Sequence, residues 1–167
     1  MPRKPPAPPL LDAAQAAFLA GPLAIAAASR DAGGVPSLTR GYGCRVSPDR
    51  REVAVFISRR RSAALLRDLQ AGAPLAVVFS RPMTHQTLQL KGDCAQLREL
   101  DAGERALVSS AREAFSAEII SLGYPERFSC AIMSGDPEDT LAVVFGPNAV
   151  FDQTPGPQAG TRLDARP

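Results

Sequence analysis

The residues of this chain best suited to chemistry are Arg59, Arg60 and Arg61, which stand in a row between two serines, Ser58 and Ser62. Three guanidiniums this close repel one another, so they either fan into water or surround an anion. Upstream, "VAVFIS" is an apolar run of strand type, and downstream "AALLRDL" carries leucines at helical spacing. If Ser62 caps that helix, the unpaired N–H groups of its first turn carry about half a positive charge beside the arginines. Fixed amides, a hydroxyl and forked guanidiniums at one point form the chemistry of a phosphate site. Two charge-assisted contacts of roughly 1.5–3 kcal/mol each supply a large part of micromolar binding, which needs about 8 kcal/mol. Surface arginines that merely follow a strand explain the same residues, and the local sequence leaves both readings open.

Other reactive groups carry less. His85 is the only histidine, and Cys44, Cys94 and Cys130 are far apart with no CxxC pair, so no metal site is expected. The three thiols are expected to pack as small hydrophobes in a reducing cytoplasm, and His85 to pack as a polar side chain. Asp136, Glu138 and Asp139 in "SGDPEDT" lie beside Gly135 and Pro137 and read as a solvated turn rather than an acid–base pair. Ser109 and Ser110 have no histidine or lysine partner in view, which leaves a serine nucleophile unsupported. Tyr42 stands between Gly41 and Gly43. The glycines suit a β-bulge in a curved strand, while Tyr42 either packs or stacks on a flat ring. Neither GxGxxG nor GxxxxGK[ST] is present.

The rest of the chain must position these groups. Its 167 residues are most simply one domain able to bury roughly 70% of its unfolded surface. Hydrophobic residues at 45% and charged residues at 22% are ordinary globular values. A net charge of +2 is too small to argue for nucleic acid or an anionic membrane. Asp12, Gln15 and Gly21-Pro22 interrupt the N-terminal apolar stretch, which argues against a secretory signal, and no run approaches a membrane span. A cytoplasmic protein is expected.

"MPRKPPAPP" at 1–9 reads as an extended or mobile arm. Asp12 and Gln15 form a capping-box pattern for a short helix with Ala14, Ala17 and Phe18 on one side. Strands follow at "PLAIAAAS", "SLTRGYGCRV", "EVAVFIS", "APLAVVFS" and "HQTLQLKGDCAQL", with a helix after Ser62 whose Leu65, Leu66 and Leu69 share a face. Asp101 and Glu104 cap a long helix with a stripe of Leu107, Ala111, Phe115 and Ile119. "FSCAIM" and "TLAVVF" read as closing strands, and residues 152–167 as a proline- and glycine-rich tail. Six or seven strands, mostly joined by short turns, predict a mainly β fold, a small barrel with inserted helices, over residues 10–151.

The order "DAGGVPSLTRGYG", "VAVFIS", "RRRSAALL", "APLAVVFS" and "HQTLQLKG" resembles the pyridoxamine 5′-phosphate oxidase-like family, the FMN-binding split barrels, well over about residues 10 to 97 and loosely beyond. The resemblance implies a split β-barrel and a homodimer with FMN at the subunit interface. It implies that Arg61, four positions before Leu65, binds the FMN phosphate with Arg60 beside it, and that Ile57 and Ser58 at the strand end help to position the flavin. Thr39, Arg40 and Tyr42 on the second strand, and Gln86, Thr87 and Gln89 on the fifth, would face the cofactor. Where the family carries two arginines on that fifth strand, this chain has Gln86 and Gln89. Absence of tryptophan and of a C-terminal Arg-x-His argues against pyridoxamine phosphate oxidation itself, and the histidine-bearing end of haem-degrading relatives is missing as well. A flavin-dependent oxidoreductase of unknown substrate is expected. A non-catalytic flavin or deazaflavin binder is the alternative, and nucleic acid and membrane partners are not expected.

Overall fold

Reciprocal capping starts the first helix. The Gln15 amide donates to Asp12 Oδ1 at 2.7 Å and the Asp12 amide to Gln15 Oε1 at 2.9 Å, and α1 runs Ala13–Leu19. The buried residue is Leu19, with Leu11 just ahead, whereas Ala14 and Ala17, grouped with Phe18 on one side, are exposed. In so short a helix the leucines, with far more apolar area to hide, decide the orientation. The structure is a computed structural model describing residues 9–163, so the expected arm, Pro9 apart, and the last four residues lie outside the described residues.

Eight strands follow: β1 (Ala24–Arg30), β2 (Pro36–Val46), β3 (Val53–Ser58), β4 (Leu75–Ser80), β5 (Thr87–Gly92), β6 (Gln96–Glu99), β7 (Thr140–Phe145) and β8 (Pro147–Asp152). Helices α2 (Ala63–Gln70), α3 (Ala102–Ser121) and α4 (Glu126–Ile132) are inserted among them. All strand pairs are antiparallel, in the order β6-β7-β3-β2-β1-β4-β5-β8. Gly146 alone joins β7 to β8, and residues 93–95 join β5 to β6, although each pair stands six strand spacings apart in that order. Laid flat, six spacings are about 29 Å. Links this short reach about 14 Å at most. The sheet must therefore curl into a barrel. At the seam, a Cβ on Gly92 would lie 2.6 Å from the Phe145 ring, so only glycine fits.

Three expectations change. The fifth predicted strand breaks after Gly92, where Cys94 takes a left-handed φ of 55°, into β5 and β6. "FSCAIM" is helical: Pro125 and Glu126 suit a helix start, and Ser129 and Met133 are buried at i, i+4 rather than alternately. "PNAVFD", which the sequence pattern left unassigned, is β8, and the tail folds back on it through the Asp152 and Leu163 amides, bonded to Thr161 and Val150 carbonyls. Of the thiols, only Cys44 packs inside. It donates to the Leu19 carbonyl at 3.1 Å and burial pushes its pKa up to about 12, while Cys94 and Cys130 are exposed.

The barrel interior holds Ile25, Val53, Val55, Ile57, Val77, Phe79, Leu90, Val143 and Phe145, closed at its ends by Leu19 of α1 and by Leu65 and Leu69 of α2. A second core lies outside the sheet, where Val108, Phe115 and Ile119 of α3 cover Tyr42, Ala54, Phe56 and Ala142. Strand β3 is thus buried on both faces, which is why its sequence is apolar throughout. The register of β2 against β3 slips between Gly41 and Cys44, the bulge that the glycines suggested. Gly43 has φ 151°, and a Cβ there would press on Ala111 of α3 at 3.2 Å.

The α3 stripe is offset from the expected one. Leu107 is exposed, and fully buried Glu104 takes its place. Glu104 accepts two 2.6 Å bonds from Arg98, one from the Asp101 amide at 3.0 Å, and pairs with Arg45 Nη2 at 2.8 Å. The Arg98 bonds hold its carboxyl below the usual range. Its stabilising effect is therefore complete above the unfolded pKa of about 4.3 and is lost as pH falls through the lower folded value. Glu104→Gln should cost about 1–3 kcal/mol at neutral pH, and urea midpoints of the two proteins should converge towards about pH 3.

Candidate cofactor site

At the end of β3 the chain turns through Arg59–Arg61 into α2. Ser62 holds the N-cap position, but its hydroxyl makes no cap and bonds Thr39 Oγ1 instead at 2.7 Å. Ser37 donates to Asp68 Oδ2 at 2.6 Å beside it, so Ser37 and buried Thr39 fasten α2 to the inner side of β2. Ile57 also points into the core, with its backbone paired on both sides. Neither Thr39 nor Ile57 presents a side chain to the outer face.

The anion among the arginines is supplied by the chain. Arg59 pairs with Glu99. Arg60 reaches Asp139 (Nε–Oδ1 3.4 Å) and Asp136 (Nη2–Oδ2 3.6 Å). Asp139 also accepts from the Ser58 hydroxyl and from the Arg60 amide at 3.3 Å, while the Arg61 amide donates to Ser58 Oγ at 3.2 Å. The Ser58 bond is the main cause that holds the Asp139 carboxyl below its usual range. Arg61 donates to the Ser134 carbonyl at 2.8 Å, to Tyr42 Oη at 3.2 Å and to Ser134 Oγ at 3.3 Å. The segment read as a solvated turn is therefore part of the site: residues 136–138 are exposed, but Asp139 is anchored under the arginines.

Tyr42 is 2% exposed, its hydroxyl donates to the Ser134 carbonyl at 3.1 Å, and the Arg112 guanidinium covers its ring at 4.6 Å. Tyr42 is packed. Arg112 donates one bond, from Nη1 to the Gly135 carbonyl at 3.2 Å, while its Nε and Nη2 are buried without a hydrogen-bond partner. Burial, with the Arg61 charge adding to it, lowers the Arg112 pKa. Arg40 Nη1 is a third such orphan. Gly41 pairs with Ile57, so the next step along the two strands brings Arg40 beside Ser58 on the outer face.

Arg40, Tyr42, Ser58, Arg60 and Arg61 thus converge. Gln86, Thr87 and Gln89 lie elsewhere: the register Arg40–Ala26–Val78–Gln89 puts Gln89 three strands away on the same face, about 14 Å by strand spacing. Gln89 accepts from Gln153 at 3.2 Å, Thr87 shares a hydrogen bond with Ser80 at 2.8 Å, and Gln86 is exposed. His85 is exposed in the preceding turn at φ 59°, not packed. Sequence reasoning missed Arg112 and Ser134. Among the described residues no group of histidine, cysteine or acidic side chains is arranged to hold a metal ion.

No protein-family model matches the chain, and neither does any curated protein. Solved structures do. A candidate pyridoxamine 5′-phosphate oxidase from Lactobacillus delbrueckii superposes with TM-score 0.52 at 15% identity, over 85% of this chain and 93% of the other. An F420 reductase gives 0.50 at 15% identity, over 80% and 93%. HupZ from Group A Streptococcus gives 0.50 at 14% identity, over 90% and 100%. The chain has the split-barrel fold of the pyridoxamine 5′-phosphate oxidase-like proteins.

In this split barrel the residues present fit an anionic group. Three buried guanidinium nitrogens, on Arg40 and Arg112, lack any acceptor, and a buried donor left unpaired costs more than an average hydrogen bond returns. Tyr42→Phe should remove the bridge among Arg61, Ser134 and β2, lowering stability by roughly 0.5–1.5 kcal/mol in denaturant titrations.

Proposed function

We propose that this split barrel binds a flavin-type cofactor, with FMN the first to test, on its outer face where β2, β3 and α2 meet, and acts as a flavin-dependent oxidoreductase. The reading rests on the unpaired guanidinium N–H groups of Arg40, beside Ser58, and of Arg112, which meets Tyr42 as the Arg61 guanidinium does. Arg40 and Arg61 would hold the phosphate, and the Ser58 hydroxyl, bonded to Asp139, would have to turn from that carboxylate to reach it. Arg112 would neutralise it from the α3 side. The row from Arg40 to Gln89 would carry the rest of the molecule, with Gln89 offering its amide to ring heteroatoms. A bound isoalloxazine supplies hydride or electron transfer; the protein's part is to bind, orient and shield it.

A second reading is a non-catalytic flavin or deazaflavin binder. It is favoured by the nature of the site's titratable side chains, arginines and carboxylates already joined in ion pairs, and the F420 reductase of like fold makes a deazaflavin a sensible second probe. A cytoplasmic setting suits either reading, and among the described residues no helix is long and apolar enough to cross a membrane. Freshly purified protein should show flavin absorbance or take up FMN on titration. Arg40→Ala or Arg61→Ala should weaken uptake by roughly 10–100-fold. A colourless protein that takes up neither FMN nor a deazaflavin would end both readings.

The same outer face supports a homodimer. Leu38 (72% exposed) and Val35 (63%) flank a row of small side chains, Ala24, Ala26, Ala28, Ala76 and Val78, an apolar surface suited to a second sheet. A partner seated there would enclose the cofactor between subunits. Light scattering should give twice the chain mass, and Leu38→Asp should shift it to the monomer.

A further inference from the structure

One short segment meets most of the groups assigned above to an incoming anion. Ser134 accepts from Arg61 through both its carbonyl and its hydroxyl. The Gly135 carbonyl takes the one bond that Arg112 makes. Asp136 and Asp139 pair with Arg60, and Asp139 also holds the Ser58 hydroxyl and the Arg60 amide. Residues 134–139 lie between α4 and β7 with only the single turn Pro137–Asp139 as regular structure. We infer that this segment is a built-in pseudo-ligand: the Asp139 carboxylate stands in for a ligand's anion, and only a dianionic phosphate group, free or as a monoester, displaces it.

The selectivity follows from competition. Asp139 is tethered, so it meets Ser58 and Arg60 at an effective concentration far above that of a dilute solute. A free carboxylate offers the same charge and the same acceptors, and so gains nothing by replacing it. A phosphate monoester brings about −1.5 to −2 charges and three strong acceptor oxygens, enough to engage Arg60 and Arg61 and also the unpaired N–H of Arg40, which Asp139 leaves unmet. Apparent affinity is then the intrinsic affinity reduced by the fraction of molecules with the segment released. The inference rests on the reading that an anion binds here, and it adds the ligand class and the element that screens it.

The test uses the full chain, FMN and inorganic phosphate as probes, and acetate as the carboxylate control. Asp139→Asn keeps the side-chain shape and the main-chain bonds while removing the competing charge. The variant should bind FMN and inorganic phosphate about tenfold tighter than wild type and remain indifferent to acetate. In wild type, phosphate at matched ionic strength should speed amide hydrogen exchange across 134–139, a readout that does not depend on how well the variant folds. If wild type binds FMN but the variant binds it no tighter, or exchange at 134–139 does not rise with ligand, the pseudo-ligand is overturned while the flavin reading stands. If neither protein binds FMN, yet phosphate binds the variant more tightly and opens the segment, the pseudo-ligand stands and the flavin reading falls. Indifference of both proteins to both probes overturns the two together, and displacement by acetate overturns the selectivity.

Discussion

Gly146, a single residue joining strands six spacings apart in the sheet order, is the constraint on which this architecture depends. Together with the short link between β5 and β6 it makes an open sheet impossible. Closure then divides the side chains into two populations. Inward ones pack against each other and against α1 and α2, and outward ones are covered by α3 on one side only. The uncovered part of the outer surface carries Arg40 at one end and Gln89 at the other.

Electrostatics at the β3–α2 junction follow from that division. Ser58 is the last outward residue of a strand buried on both faces, so its hydroxyl opens where low-dielectric core meets the surface. Charges there interact more strongly than in open water. That favours bringing carboxylates to the arginines, and Asp139 comes from the residue just before β7, the strand paired with β3. The same pairing of Ser58 with Thr140 that extends the ladder sets Asp139 over Ser58. Glu104 illustrates the same economy in the first turn of α3, where one buried carboxylate answers two arginines and a helix N-terminus.

Much of this was legible in the sequence where local chemistry decides the outcome. Asp12 with Gln15 and Asp101 with Glu104 form the capping boxes that their spacing predicted. β1 to β4 follow from apolar runs between turn residues, and the glycines around Tyr42 mark the bulge. Legibility failed where partners distant in sequence outrank local pattern. "FSCAIM" has strand-like composition, yet its one buried side exists only because α3 lies beside it. β8 is too polar and too near prolines to signal a strand until β5 supplies the ladder. Ser62 looks like a cap, but Thr39 offers its hydroxyl a buried partner. In the candidate site the arginines and Ser58 could be read from their crowding. Arg112, Ser134 and the anchoring of Asp139 come from segments 50 to 80 residues away, and no spacing rule connects them.

The slip between Gly41 and Cys44 also fixes what length changes this chain can absorb. Tyr42 and Gly43 both turn towards α3, after which the alternation restarts out of phase, with Cys44 inward and Arg45 outward to Glu104. Loss of one residue here would invert the far half of β2, driving a guanidinium into the barrel and exporting a thiol. The 47–52 turn can lengthen or shorten without that penalty. Drift in the lineage should therefore gather in that turn and leave the spacing from Arg40 to Arg45 untouched, because this stretch keeps count for both layers at once.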